Sequence, residues 1–322
     1  MKKVVRIAAV ALCAAILLAG CAAALSRVVY GRSLRASLYE IALRWRFANH
    51  RTAEEEIARL EARRERGESP YAIPVDCRPK AEVIEDERHG MQVFTLPGGE
   101  TTVLYLHGGA FINRFSAEHW RFMDRLARKT GCTIVAPDYP LAPYADYARA
   151  YEALSGLYRD LLAQNSGRLL LMGDSAGGGL ALGLAEYLLG QGDPLPERLI
   201  LFSPWVDVSM ENPEIPEYVP VDPMLHLELV KVHGRYWAGG ADTRYWMVSP
   251  LYGALSGLPP VAVYCGTREL LYPDLLRLHA ALTAAGVDAT LSVGRGMNHD
   301  YPLMPLPEAD AVFREVAELV RG

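Results

Sequence analysis

The chain is predicted to be α/β, with a mostly parallel central sheet flanked by helices and a helical cap. Two patterns carry that prediction. Short apolar runs of strand length alternate with longer stretches of helical period from about residue 80 to the C-terminus. One such pair, Leu169 to Met172 and then Leu180 to Leu189, is joined by Gly173-Asp174-Ser175-Ala176-Gly177. That order suits a tight strand-to-helix turn with small residues two before and two after the serine. With 322 residues, 51% of them hydrophobic, the chain can bury one large core.

In chain order, strands are expected near 81–86, 91–96, 101–106, 132–136, 169–173, 198–202, 260–265 and 289–293. Helices are expected near 117–129, 147–164, 176–190, 273–285 and 308–320. Residues 207–249, rich in Pro, Tyr, Trp and His, break the alternation and read as a cap insertion. Tyr218, Tyr236, Trp237 and Trp246 there are candidate pocket walls or plain cap core. Upstream, Leu34, Leu38, Ile41 and Trp45 recur at helical spacing among Arg35, Arg44 and Arg46. That helix packs over the site or lies in a membrane interface. Residues 53–66 are charge-rich and read as a solvated helix or linker.

Four loops past strand ends carry candidate chemistry, where a parallel sheet places its ligands. Ser175 sits on the tight turn, and the helix after it aims N-terminal amides at the same point. His107-Gly108-Gly109-Ala110-Phe111 follows the strand at 101–106. Its paired glycines let backbone N–H groups face a developing oxyanion, worth about 3–4 kcal/mol per donor. His299 and Glu269 lie beyond the last two strands, so the order along the chain is serine, acid, histidine. His299 is placed to take the Ser175 proton and Glu269 to orient its ring, with Asp274 the rival acid. His107 reads as a shaper of the glycine loop, and His50, His89, His119, His226, His233 and His279 as structural or solvated.

Over residues 80 to 320 the chain resembles the hormone-sensitive-lipase-like family of alpha/beta-hydrolases, which are serine carboxylesterases and lipases. The likeness rests on His107-Gly108-Gly109-Ala110-Phe111, Asp138-Tyr139-Pro140-Leu141-Ala142-Pro143 and Gly173-Asp174-Ser175-Ala176-Gly177-Gly178. Ser203-Pro204-Trp205-Val206-Asp207, Ser249-Pro250-Leu251 and the two C-terminal loops extend it. The resemblance implies an alpha/beta-hydrolase fold and a serine esterase with Ser175 as nucleophile and His299 as base. It further implies an oxyanion hole from the N–H groups of Gly108, Gly109 and Ala176. Three positions depart from the family pattern: Glu269 stands for Asp, Asp300 for the Gly after the histidine, and Pro140 for Arg.

The resemblance implies no cofactor, and no residue pattern suggests a metal site. The expected partner is a small-molecule ester of short to medium acyl length. An amidase or peptidase on the same three residues, and a non-catalytic binding protein on the same fold, remain open readings. Net charge is −5 with no basic block outside the N-terminus, which argues against nucleic acid. Oligomeric state is open.

Residues 1–20 read as a signal peptide or membrane anchor, 21–78 as an amphipathic cap and linker segment, and 79–322 as the catalytic domain. Lys2, Lys3 and Arg6 precede an uncharged run from Ile7 to Leu25, within which Leu18-Ala19-Gly20-Cys21 resembles a lipoprotein cleavage box. Cys21 would take the lipid, placing the chain in the cell envelope outside the cytoplasmic membrane. The alternative is an uncleaved transmembrane anchor. Cys77, Cys132 and Cys265 form no arguable disulfide framework.

Overall fold

The computed structural model describes residues 18–164 and 167–322. Most of the uncharged run at 7–25, with Cys13, lies outside these residues. Among those described, eight strands form one sheet in the order β1-β2-β4-β3-β5-β6-β7-β8. They are β1 (Ile84–Arg88), β2 (Met91–Leu96), β3 (Gly99–Leu106), β4 (Cys132–Pro137), β5 (Leu169–Asp174), β6 (Leu199–Phe202), β7 (Val261–Arg268) and β8 (Ala289–Asn298). Strands β3 to β8 are parallel, and β1 and β2 form an antiparallel edge. The expected α/β architecture is present.

Alternation along the central strands splits the core. Leu104, Leu106 and Leu171 face one side of the sheet, and Val103, Tyr105, Leu170 and Met172 the other. Helices α4 (Tyr147–Gln164), α5 (Ser175–Gln191) and α7 (Tyr272–Ala284) cover the first side. Helices α3 (Ala117–Thr130) and α8 (Pro307–Arg321) cover the second. Three further helices roof the sheet's C-terminal edge: α1 (Leu34–Phe47), α2 (Ala53–Arg66) and α6 (Leu227–Ala238).

Two strands run longer than their apolar cores. Strand β8 continues through Gly294-Arg295-Gly296 to Asn298, where glycine and charge signalled a loop. Its pairing with β7 shifts register after Gly266 and closes on Arg268 opposite Asn298. Glu269 and His299 are the next residue of each strand, so they leave the sheet side by side. Register thus delivers a carboxyl and an imidazole to one place.

The roof departs most from the sequence expectation. Helix α1 forms, capped by the Ser33 hydroxyl accepting from Ala36 N–H at 3.1 Å. Its inward face, however, is Ala36, Glu40 and Leu43. Leu38, Ile41 and Trp45 point outward, 57%, 54% and 82% exposed. A buried charge set that orientation. Glu40 pairs with Arg32 at 2.5 Å, with Arg268 at 2.9 Å and with Arg44 at 2.9 Å. Burial pushes the Glu40 carboxyl up, but Arg268 and Arg32 outweigh it and hold it below its usual range. Arg268 directly precedes Glu269, so this cluster ties α1 to the end of β7.

Residues 53–66 are a docked helix rather than a solvated linker. A capping box between Thr52 and Glu55 starts α2. Leu60 and Glu56 are buried, and Glu56 accepts from His233 Nε2 of α6 at 2.8 Å. No helix among the described residues is long and apolar enough to cross a membrane.

Candidate active site

Ser175 opens α5 directly after β5 with φ of 48°, a left-handed conformation that lifts its side chain off the sheet edge. The turn closes only because Gly177 has no side chain. A Cβ there would fall within the contact radius of the Leu106 and His107 carbonyl oxygens. The first turn of α5 then aims its free N–H groups at the serine.

His299 Nε2 lies 2.9 Å from Ser175 Oγ, and His299 Nδ1 lies 2.6 Å from Glu269 Oε2. Glu269 is wholly buried and accepts on its other oxygen from Gly266 N–H at 2.8 Å and Ser203 Oγ–H at 3.1 Å. The carboxylate is therefore held at both ends, with the Nδ1–H as its third donor. Asp274 faces elsewhere: it accepts from Asn212 Nδ2 and Arg277, each at 2.8 Å. Burial disfavours charge on His299, yet Asp300 and Glu269 outweigh it and raise the imidazole well above its ordinary value.

The glycine loop departs from expectation at one donor. Gly108 N–H points to Asp174 Oδ2 at 3.0 Å and is committed there rather than open to the cavity. Gly109 and Ala110 line the cavity beside Ser175 instead, at φ of 129° and 55°. Their N–H groups have no acceptor among the described residues, nor has that of Ala176. The resemblance points to the loop, and the Asp174 contact shows which of its amides is already engaged.

Asp174 is the hub of this loop. It accepts from Tyr105 Oη at 2.5 Å and from His119 Nε2 at 2.9 Å as well as from Gly108. Burial pushes its carboxyl up, but His119 and Tyr105 outweigh that and hold it below the usual carboxylate range. His119 is thus a site-supporting residue that sequence reading classed as structural or solvated. Its helical context gave no sign of a partner 55 residues away. His107 behaves as expected: Nδ1 meets Gly108 O at 2.7 Å, and the ring stacks on Tyr139. Burial pushes it down to about 3, so it stays neutral. With Pro140 in place of a family Arg, Arg114 is the cation that pairs Asp138, at 3.1 Å.

Ser175, His299 and Asp300 open into a cavity of about 570 Å³. Its apolar wall is Tyr39, Leu43 and Phe47 from α1, with Met224, Leu225 and Leu229 from the cap insertion. Tyr218, Tyr236, Trp237 and Trp246 are not among the lining residues. Trp237 is buried and stacks on Phe111 at 4.0 Å, Tyr236 bonds Glu61, and Tyr218 packs on Tyr272. These cap aromatics make packing contacts away from the cavity, which Met224, Leu225 and Leu229 of the same segment reach instead.

A buried serine–imidazole–carboxylate relay beside free backbone amides defines a site of the serine-hydrolase type. A family model described as alpha/beta hydrolase fold matches residues 103–303. The chain is 34% identical over 210 residues to a triacylglycerol lipase of Mycobacterium tuberculosis, covering 65% of this chain and 43% of that protein. It is 33% identical over 211 residues to an acetyl-hydrolase of Streptomyces hygroscopicus, covering 63% and 70%. Among solved structures, an esterase from the bacterial hormone-sensitive lipase family superposes with a TM-score of 0.77 at 29% identity, covering 90% of this chain and 98% of that one. The chain belongs to the hormone-sensitive-lipase family of alpha/beta-hydrolases, and its enzyme class is carboxylic ester hydrolase.

Proposed function

We propose that this protein is a serine carboxylesterase for short- to medium-chain acyl esters, with Ser175 as nucleophile, His299 as base and Glu269 as orienting acid. The relay from Ser175 Oγ to His299 to Glu269, at 2.9 and 2.6 Å, is the observation that carries this reading. Oγ attacks the ester carbonyl as its proton passes to Nε2, and the amides of Gly109, Ala110 and Ala176 receive the oxyanion. The imidazolium protonates the departing alkoxide, leaving Ser175 acylated. Water then attacks the acyl-enzyme, with Nε2 taking its proton and returning it to Oγ. Glu269 holds a proton on Nδ1, so that in the neutral, reactive ring the lone pair lies on Nε2 and faces the serine.

A roofed cavity of about 570 Å³ with a largely apolar wall suits a compact acyl group. Rates on p-nitrophenyl esters from acetyl to dodecanoyl are expected to peak at or below octanoyl. A peak at dodecanoyl would contradict the short- to medium-chain assignment. Matched amides are expected to react far more slowly, and amide rates equal to ester rates would favour the amidase reading.

For location we propose an envelope lipoprotein with lipid on Cys21, in which residues 21–78 serve as anchor-proximal cap and 79–322 as catalytic domain. Cys21 is exposed, and the outward stripe of Leu38, Ile41 and Trp45 lies among exposed Arg35 and Arg46, a composition that suits a lipid interface. Labelled palmitate should enter the wild-type chain and not Cys21→Ala. Membrane association without label would favour the uncleaved anchor.

A further inference from the structure

The residue after His299 has a role that the relay does not use. Asp300 sits at φ of 53°, a conformation glycine adopts more readily, where the resembling family has glycine. Its N–H donates to Ser203 Oγ at 3.1 Å, and Ser203 in turn donates to Glu269. The side chain turns back on the histidine, placing Oδ2 3.2 Å from Nε2, the nitrogen that faces Ser175. Its other oxygen, Oδ1, is buried with no hydrogen-bond partner among the described residues.

Protons decide what this contact means. A neutral imidazole with its hydrogen on Nδ1 presents a lone pair at Nε2, and an ionised carboxylate facing that lone pair is repelled. The contact is attractive only with a proton between the two atoms. Either the ring is imidazolium or Asp300 is a carboxylic acid donating to Nε2. Both forms withhold the Nε2 lone pair from Ser175 in the resting site. The same carboxylate, when ionised, stabilises the imidazolium that forms as the serine attacks.

We propose that Asp300 is a second carboxylate partner of the catalytic imidazole, acting at Nε2 opposite Glu269 at Nδ1, and that it moves the onset of hydrolysis to higher pH while stabilising the charged ring during acyl transfer. This rests on the serine-esterase reading. It acts through His299 and is a positioning and electrostatic residue rather than a nucleophile or base.

The direction follows from the surrounding charges. Glu269 after β7, Asp222 of the cap insertion, Asp174 of the nucleophile turn, His119 of α3 and Tyr105 of β3 complete the set around this pair. Burial raises Asp300 to about 6 against the pull of His299, and burial likewise raises Asp222 to about 6. Asp300 is the one of these carboxyls in contact with Nε2. Carboxylates favour the protonated ring, whereas the reactive form is neutral, so removing the Asp300 charge must move the acid limb of activity downward.

The test compares wild type with Asp300→Asn and Asp300→Gly. Asparagine keeps the volume and tolerates positive φ, and glycine relieves the backbone altogether. Two readouts are taken: the pH dependence of kcat/KM on p-nitrophenyl acetate, and the ring titration of His299 followed by NMR in the resting enzyme, which needs no turnover. Both variants are expected to lower the His299 midpoint and the acid limb together by at least about one pH unit. The alkaline plateau should fall by roughly threefold to tenfold as the imidazolium loses a partner. A ring midpoint in either folded variant that coincides with wild type would overturn the proposal, as would a wild-type midpoint at or below the ordinary histidine value of about 6.5. Absent hydrolysis in the wild type with a raised, Asp300-dependent ring midpoint would instead sink the esterase reading and leave the electrostatic pairing standing.

Discussion

Ser175→Ala is expected to lower kcat for p-nitrophenyl ester hydrolysis by roughly 10⁴-fold or more, leaving only the residue of rate that oxyanion donors and binding supply. Ser175 Oγ is the hydroxyl at 2.9 Å from His299 Nε2, and Gly109, Ala110 and Ala176 present free amides beside it. A methyl group at this position leaves the amides and the cavity intact while removing the attacking atom. Folding should survive the change, because the strained turn is held by the close packing of Gly177 on β3 rather than by the hydroxyl. Circular dichroism and thermal melting should therefore match wild type while turnover is lost. A variant that keeps more than about a tenth of wild-type rate would mean that water, not serine, is the nucleophile.

The second large effect separates the two candidate acids. Glu269→Gln is expected to lower kcat by about 10³- to 10⁴-fold, since an amide facing Nδ1 no longer enforces the tautomer that frees Nε2. Its geometry would be kept: the carbonyl oxygen can still accept from Gly266 N–H and Ser203 Oγ–H. Asp274→Asn should change kcat by less than about fivefold while lowering stability by about 1–3 kcal/mol, because it disturbs the buried contacts to Asn212 and Arg277. Steady-state rates on one ester, with melting curves for both variants, give the comparison. The reverse ranking would move the acid role to Asp274 and demand a different conformation of the loop after β7.

Much of this was legible in the chain because the signals were local. The apolar runs at 91–96, 132–136 and 169–173 correspond to β2, β4 and β5 nearly residue for residue. The turn around Ser175 is written in five consecutive residues, and Glu269 and His299 each follow a strand of strong β character. What escaped was set by long-range contacts. The stripe of Leu38, Ile41 and Trp45 has the helical period of a buried face. Burial instead followed the Glu40 ion cluster, whose partner Arg268 lies 228 residues away. The aromatic residues at 218, 236, 237 and 246 drew attention as pocket walls. None of the four lines the cavity, whereas Leu225, Leu229 and Met224 of the same segment reach it. The commitment of Gly108 N–H depends on Asp174, and the support of Asp174 depends on His119. No spacing rule announces either pairing. Ser203 belongs to the same class. Its serine-proline-tryptophan setting carried family likeness, but its bridging of Glu269 and the Asp300 amide follows from its place after β6.

The central claim is that catalysis passes through an ester on Ser175. Mass spectrometry of protein quenched during turnover of p-nitrophenyl butyrate tests it most directly. One butyryl adduct per active chain is expected, on the peptide carrying Ser175, absent from Ser175→Ala and accumulating in Glu269→Gln only as fast as that variant turns over. Full turnover with no adduct on any serine, or an adduct on a different residue that tracks activity, would contradict it.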